Sequence, residues 1–336
     1  MSDVAEAWAL LRKDDSRTSG VVRRRLRPDA PIDVFAAMEK PQNLLSLQIE
    51  ADAHMALKLV SRNTRGLQLL AETLSSGPRS RVRCTIRLTD PEAEDLFEIV
   101  VSDLLSAVCL ETAVKAAMDA LGCRLDRWES FFARHGSRGL SPDEQQGLFG
   151  ELWFVRGILG HAAYSVIQSW VGPNAANQDF QYRGHGVEVK TTSANPALEV
   201  RISSLLQLDD EGLDDLALVV LQVNRVANSS ETLVDMVASV RSLVNKLAPA
   251  ASMELEEKLF LAGYLDSQSA EYSSMGFSVR RADFFLVGDG FPRLTPADVP
   301  DGVGSVRYSV SASALTPHTV DEQKILRWFG GDFGAG

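Results

Sequence analysis

Hydrophobic and polar residues alternate over much of the first hundred positions of the chain. The alternation is clear over residues 45–49 and 82–88, and residues 96–101 continue it. A period of two is typical of strands that bury one face. We therefore predict a short helix at 4–13, followed by a mainly β region over residues 20–102.

The middle of the chain changes to a helical pattern. Residues 103–133 favour helix, with Gly122 as a break, and the polar, glycine-containing stretch 135–139 is typical of a linker. We therefore predict that residues 1–138 form a mainly β N-terminal region with a helical connection, which is a candidate for binding DNA or a partner protein.

A helix with a complete start signal follows this linker. Ser141 fits the N-cap, Pro142 the first helical position, and Glu144 completes a capping box. We expect the helix to end near Leu159 or Gly160.

One acidic residue interrupts the apolar stripe of this helix. The stripe contains Leu148, Leu152, Val155 and Leu159, flanked by Ile158. Glu151 falls on the stripe, where a charge is costly unless it is paired or binds a metal. The alternative is that Glu151 bends out to water. Gly147 and Gly150 lower the stability of the helix but permit close approach of another chain segment.

A β-hairpin is predicted downstream, over residues 178–190. With Gly184 and His185 as a two-residue turn, Gln181 pairs with Glu188 and Asp179 pairs with Lys190. Alternation then puts one polar and one apolar set on opposite faces. The polar set is Asp179, Gln181, Glu188 and Lys190, and the apolar set is Phe180, Tyr182, Val187 and Val189.

The polar face of this hairpin indicates metal chemistry. Two carboxylates repel each other unless a cation or a proton lies between them, and Mg2+ usually needs only one or two carboxylates. The ammonium of Lys190 could orient or help deprotonate a nearby water. The alternative is a solvated surface with weak cross-strand ion pairs. Glu-x-Lys spacing also occurs at 256–258 and 322–324, in segments that favour helix.

The remaining residues add strands and helices. Residues 216–223 are continuously apolar, which is typical of a central strand that is covered on both faces. We predict amphipathic helices at 231–247 and 252–265, and further strands at 277–287 and 303–312.

Composition narrows the class of protein. Of 336 residues, 45% are hydrophobic and 24% are charged, as in ordinary soluble globular proteins. No apolar run is long enough to span a bilayer, the first residues lack a signal-peptide pattern, and there is no P-loop. Cys84, Cys109 and Cys123 lack a CxxC spacing and fit buried thiols. We therefore expect a cytoplasmic protein with no membrane partner and no ATPase motor.

The net charge of −11 is unfavourable for binding nucleic acid. Residues 1–90, however, hold 15 Lys and Arg against 11 Asp and Glu, a local charge of +4 that leaves −15 for the rest. Two clusters carry this excess: Arg23, Arg24, Arg25 and Arg27, and Arg79, Arg81, Arg83 and Arg87. The second cluster is either a basic stripe for phosphates or a strand edge protected by charge. Either a local basic groove or a partner must supply affinity for DNA.

Five segments together resemble a known group of proteins. They are residues 147–154, 170–173, 178–180, 187–192 and 202–208. The order of a helix-borne Glu, a strand-borne Asp and Glu-x-Lys resembles the PD-(D/E)XK, or restriction-endonuclease-like, nuclease superfamily, and more closely a bacterial branch of PD-(D/E)XK motif proteins. The residue before Asp179 is Gln178, where the superfamily pattern has Pro.

The resemblance implies an α/β, mixed α+β fold. Its restriction-endonuclease-like core of a helix, three strands, a helix and a strand would occupy residues 139–265, and residues 266–336 would form a C-terminal β-containing extension. Asp179 and Glu188 would be metal ligands, Glu151 the acid that the helix adds to the site, and Lys190 the catalytic lysine. Mg2+ is the implied cofactor, with Mn2+ as an alternative.

The resemblance also implies a function. It is that of a metal-dependent DNA endonuclease, as a subunit of a bacterial restriction or phage-defence system in which other subunits provide recognition or ATP hydrolysis. Gln207 would lie near the site and contact phosphate, although an ordinary surface role fits it equally well. The alternative is a catalytically silent binding or scaffold subunit of the same fold.

Overall fold

A six-stranded antiparallel sheet forms the centre of the first part of the structure. The computed structural model describes residues 3–54, 60–64, 66–75, 80–90, 93–137, 139–159, 163–194, 199–227 and 230–330. The chain divides into two compact units, Met1–Gly139 and Leu140–Gly336. The elements of the first unit are α1 (Asp3–Arg12), β1 (Gly20–Leu26), β2 (Asp33–Lys40), β3 (Leu44–Asp52), β4 (Arg62–Asn63), β5 (Leu67–Ser75), β6 (Arg81–Leu88), α2 (Glu94–Cys109) and α3 (Val114–His135).

The sheet of this unit has the strand order β1-β2-β3-β6-β5-β4. One face carries buried apolar side chains such as Val34, Leu47 and Ile86, and the other is largely polar. Strand β6 is interior, so the interpretation of its arginines as a protected strand edge is wrong. Arg79 lies outside the described residues.

Three sequence predictions for this unit are wrong. Residues 96–101 belong to helix α2, because short apolar runs fit both periods and the buried residues continue at helical spacing through Leu104 and Val108. Gly122 does not break α3, since burial of neighbours such as Leu121 and Leu125 outweighs a propensity cost of about 1 kcal/mol. Of the three cysteines, only Cys84 is buried, so the prediction of buried thiols is wrong for Cys109 and Cys123.

The second unit is built on a mixed five-stranded sheet. Its helices are α4 (Pro142–Ile158), α5 (Ala163–Ser169), α6 (Leu233–Leu247), α7 (Ser252–Leu261), α8 (Ser269–Tyr272), α9 (Ala312–Leu315) and α10 (Glu322–Phe329). Its strands are β7 (Phe180–Tyr182), β8 (His185–Thr192), β9 (Glu199–Ile202), β10 (Asp215–Ala227), β11 (Glu231–Thr232), β12 (Met275–Val287) and β13 (Tyr308–Ser311). The mixed α+β prediction is confirmed.

The sheet of the second unit has the order β11-β12-β10-β8-β7, with β10 parallel to β8 and antiparallel to β12. Strand β10 is central, as its continuous apolar sequence predicted. Its residues alternate between two cores: Val219 and Leu221 pack with α4 and α6, whereas Leu218 and Val220 pack with β9 and β13. Residues 266–336, assigned from sequence to an extension, contribute β12 to this sheet.

The helix that carries Glu151 begins as the sequence predicts. The hydroxyl of Ser141 accepts a hydrogen bond from the Glu144 amide, and the Glu144 carboxylate accepts one from the Ser141 amide, which completes the capping box. Helix α6 begins in the same way, with a capping box formed by Thr232 and Asp235. No helix in the described part of the chain combines the length and apolar character that a membrane span requires.

Candidate active site

The hairpin of β7 and β8 has a different turn from the predicted one. Arg183 and Gly184 form it, with φ of 48° and 82°, and Tyr182 pairs with His185. Positive φ at both central residues is the requirement of the tight turn that matches strand twist. The predicted turn at Gly184 and His185 is therefore wrong by one residue.

The altered turn keeps the predicted faces of the hairpin. Gln181 pairs with Gly186 instead of Glu188, which is a shift of two residues along the partner strand. Only a shift by an odd number exchanges the two faces. Phe180 and Val187 thus remain on the apolar side, where both belong to the core under α4.

Asp179 lies immediately before β7 and is held at two points. Its carbonyl oxygen accepts hydrogen bonds from the amides of Val171, at 2.8 Å, and Gly172, at 2.9 Å. Its carboxylate Oδ2 accepts from the amide of Val189 in β8, at 2.8 Å. The main chain therefore fixes both the position and the direction of this carboxylate.

Glu188 and Lys190 project from the same face of β8. Their neighbours in β10 are Leu218 and Val220, on the side of the sheet opposite α4 and α6. Lys190 Nζ lies 2.6 Å from Glu188 Oε1. Glu188 is only 1% exposed, and its Oε2 is buried without a hydrogen-bond partner in the described structure. A buried carboxylate oxygen without a donor is costly, so it indicates a ligand or a proton at this place.

Glu151 reaches the same region from α4. Its Oε2 accepts a hydrogen bond from the indole Nε1 of Trp170, at 2.7 Å. A Cβ placed on Gly172 would lie 3.0 Å from Asp179 Oδ1 and 3.4 Å from Glu151 Oε2, so both carboxylates border one small volume beside this glycine. The structure thus brings Glu151, Asp179, Glu188 and Lys190 together.

The close approach of α4 to β8 depends on a glycine. A Cβ on Gly150 would lie 1.8 Å from Thr191 Oγ1, whereas one on Gly147 would meet nothing within 4 Å. Close approach was predicted for both positions and is present only at Gly150. Because Gly150 precedes Glu151, this contact sets how near the Glu151 carboxylate comes to the sheet.

Burial and mutual repulsion raise the pKa values of the acidic groups. Burial, assisted by the charge of Asp179, raises the pKa of Glu188 to about 8 and holds the pKa of Glu151 well above its usual range. Burial also raises the pKa of Asp179, against the opposing effect of the Lys190 charge. A cation at this place would replace the protons that the cluster otherwise takes up.

The surroundings of Lys190, in contrast, favour its charged form. Burial alone would lower the pKa of Lys190, but the charges of Glu188 and Asp179 outweigh it and raise this pKa above the usual value. Lys190 is therefore an ammonium at neutral pH, which suits it to donate hydrogen bonds and to offset negative charge.

Three further residues support the cluster, and sequence patterns assigned them no role there. Trp170 binds Glu151, Gly172 leaves space beside two carboxylates, and Gln178 is buried. The Gln178 amide donates to the carbonyls of Leu206, at 2.8 Å, and Asp209, at 3.1 Å. All three lie in segments on which the family resemblance rests. This resemblance was the one feature of the sequence that could have pointed to them.

Gln207 lies on the 3-10 turn Leu205–Leu208 that Gln178 anchors. Its Oε1 accepts a hydrogen bond from the Ser203 amide, at 2.8 Å, which leaves its N–H2 group to serve another partner. Its contact with phosphate stays a prediction.

The donor set suits a hard divalent ion with an incomplete protein shell. In the described ranges, no group of three or more His, Cys, Asp or Glu side chains forms a ready-made metal site. Mg2+ does not require one, because it usually binds one or two carboxylates and keeps several waters. Oxygen-only donors and the unpaired Oε2 of Glu188 fit such an ion.

A Glu on a helix, an Asp at the start of a β-hairpin and a Glu-x-Lys strand, gathered in one buried cluster of charged groups, define a PD-(D/E)XK-type protein. The chain belongs to the family DUF4420, whose model is described as "Putative PD-(D/E)XK family member" and matches residues 4–313. The resemblance found in the sequence is thereby confirmed. Searches of curated proteins and of solved structures find no match.

Proposed function

We propose that this chain is a metal-dependent endonuclease that hydrolyses DNA phosphodiester bonds, as a cytoplasmic subunit of a bacterial restriction or phage-defence system. One observation carries the proposal: carboxylates from a helix, from the residue before β7 and from β8 meet beside one ammonium, and the buried Glu188 among them has an oxygen without a donor. Membership of a PD-(D/E)XK family supports the same chemistry.

In this proposal Asp179 and Glu188 hold Mg2+ or Mn2+, and Glu151 completes or neighbours the shell of the ion. The ion would lower the pKa of a bound water and polarise a phosphate oxygen. The chain's own groups fix the geometry: the Val189 amide orients Asp179, and the Trp170 indole orients Glu151. Lys190, as an ammonium, positions the attacking water and offsets charge on the phosphoryl group. Gln207 contributes a phosphate contact.

A scaffold function is the second candidate, and a specific contact favours it. The ion pair between Lys190 and Glu188 offsets one carboxylate charge without a metal, and protonation of Glu151 would remove another. A silent module could therefore keep this cluster. Thermal unfolding with and without Mg2+ or Ca2+ separates the two, because a ligand that binds only the folded state raises the melting temperature.

The decisive experiment is cleavage by the purified full chain. Plasmid, linear and modified DNA are incubated with Mg2+ or Mn2+, with EDTA, and with an Asp179→Ala variant that is purified in the same way. We expect metal-dependent cleavage that EDTA and Asp179→Ala abolish. Equal cleavage by the variant would contradict the assignment. Absence of both cleavage and metal-induced stabilisation would favour the scaffold.

A further inference from the structure

The polar face of the N-terminal sheet carries arginines from two strands. Arg23 and Arg25 of β1 and Arg81 and Arg83 of β6 lie on this face together with Glu50 of β3, which is directly opposite Arg83. Arg24, between the first two, lies on the opposite face of β1 and is exposed.

Carboxylates of neighbouring strands hold these guanidinium groups in place. Glu50, with a side chain only 8% exposed, accepts from Arg23 and from Nε and Nη2 of Arg83, at 3.0 and 2.8 Å. Asp33 binds Arg25 and Arg81, each at 2.7 Å. The exposed Glu72 adds a third carboxylate, on Arg83. Each guanidinium has five N–H donors, so these contacts orient Arg23 and Arg83 and leave some of their donors for another partner.

A cavity of about 530 Å3 opens beside this network. Its lining includes Asp14, Ser16, Arg17, Arg23, Gln48 and Arg83. Gln48 is only 4% exposed, and its Oε1 has no hydrogen-bond partner in the described structure. The carboxylate of Asp14 accepts from the Ser16 amide, at 2.9 Å, so it is already engaged at the rim. A buried amide oxygen without a hydrogen-bond partner in the described structure, beside three arginines, indicates that this cavity receives a polar ligand.

We propose that this cavity binds a backbone phosphate of duplex DNA through Arg17, Arg23, Arg83 and Gln48. Guanidinium groups match phosphate oxygens in shape and charge. In this contact the Gln48 carboxamide would present its N–H2 group to the phosphate oxygens, which a half rotation about its terminal bond allows. Such a contact is independent of base sequence and gives an acidic chain a local place for DNA. The inference rests on the proposed function in so far as DNA is the substrate.

The test measures binding without cleavage. Fluorescence anisotropy of a labelled DNA duplex is recorded with the full chain in EDTA, over a series of salt concentrations. Arg17→Ala is compared with Arg24→Ala, which removes the same charge from the opposite face of the sheet. We expect Arg17→Ala to weaken binding about fivefold and to reduce the slope of log Kd against log salt by about 1, since one phosphate contact is lost. Arg24→Ala should stay within about twofold of the unchanged chain.

A second variant separates binding from folding. Gln48→Leu removes a buried acceptor that has no donor, so we expect an unchanged or higher melting temperature together with weaker DNA binding. Equal Kd values for Arg17→Ala and Arg24→Ala, or unchanged binding by a folded Gln48→Leu, would overturn the inference. Cleavage is measured in a separate assay. DNA binding that depends on Arg17, without any cleavage, would contradict the nuclease proposal and leave the phosphate site standing. Cleavage together with DNA binding that does not depend on Arg17 would contradict the phosphate site and leave the nuclease proposal standing.

Discussion

Trp170 donates its indole N–H to the Glu151 carboxylate, at 2.7 Å, from a side chain that is itself fully buried. The tryptophan lies after α5 and the glutamate on α4, so a single hydrogen bond ties a helix-borne acid to the segment that runs beside Asp179. Partners that orient ligands in this way control how well a metal is bound.

Trp170→Phe should weaken metal binding while the fold persists. Phenylalanine keeps most of the apolar contacts but removes the donor, so Glu151 loses its orientation. We expect metal affinity to fall by about tenfold or more. The measurement is a Mn2+ titration followed by thermal unfolding. Trp153→Phe is the matched control, because Trp153 lies on α4 with Glu151 and packs against the core, and residues two apart on a helix do not face each other. Equal affinities for the two variants would contradict this role for Trp170.

Gly150→Ala and Gly147→Ala should have opposite effects on stability. A Cβ at 150 would overlap Thr191 Oγ1, and Thr191 is part of β8, so either α4 or the threonine must move. We expect a loss of about 1–3 kcal/mol in the free energy of unfolding. Position 147 has open space, so alanine should raise stability by up to about 1 kcal/mol.

Urea unfolding of both glycine variants gives these values. Adding Thr191→Ala should recover much of the loss in Gly150→Ala, because it removes the atom in conflict. If Gly150→Ala proved as stable as Gly147→Ala, the helix would not be held at this distance by the glycine.

Local patterns in the sequence predict much of the secondary structure of the second unit. Helix α4 follows from Ser141, Pro142 and Glu144, and the central position of β10 follows from its unbroken apolar run. The polar face of the hairpin was predictable although its turn was not, because a shift of two residues preserves side-chain direction. No feature of the sequence predicted the positive φ of Arg183.

Contacts between distant segments explain the features of the site that could not be predicted from the sequence. Trp170 and Glu151 are 19 positions apart, and Gln178 contacts carbonyls about 30 positions away. No periodicity links such residues. The helix over 96–101 was missed for a related reason, since only its packing, and not its short apolar pattern, distinguishes helix from strand.

Lys190→Met should abolish cleavage without unfolding the chain. Methionine replaces most of the lysine stem but removes the ammonium 2.6 Å from Glu188 Oε1. Burial raises the pKa of Glu188 to about 8, so loss of the ammonium leaves a carboxyl group that can hold a proton at neutral pH and not an unpaired buried charge. We expect the cleavage rate to fall by about a hundredfold or more, as for loss of a group that stabilises charge in a transition state. Lys246→Met, on the exposed end of α6, is the control. A well-folded Lys190→Met variant that cleaves at the original rate would exclude Lys190 from the reaction.

Glu50→Gln should change stability in a pH-dependent way. Burial alone would raise the pKa of Glu50, but hydrogen bonds from Arg23 and Arg83 outweigh it and lower this pKa below the usual value of 4.5. A carboxylate with a lowered pKa in the folded state stabilises the fold above its unfolded pKa, and this contribution is lost as pH falls through the folded value.

We therefore expect Glu50→Gln to lower the free energy of unfolding by about 1.5–3 kcal/mol at pH 7, since it removes the charge that accepts hydrogen bonds from two partly exposed guanidinium groups. The difference from the unchanged chain should stay constant down to about pH 5 and shrink below it, because the unchanged chain then loses the same charge. Urea unfolding at a series of pH values measures this. Glu72→Gln, at an exposed partner of Arg83, should cost less than about 1 kcal/mol at every pH. If Glu50→Gln lowered the free energy of unfolding as much at pH 3 as at pH 7, the packing of Glu50, and not its charge, would be what stabilises the fold.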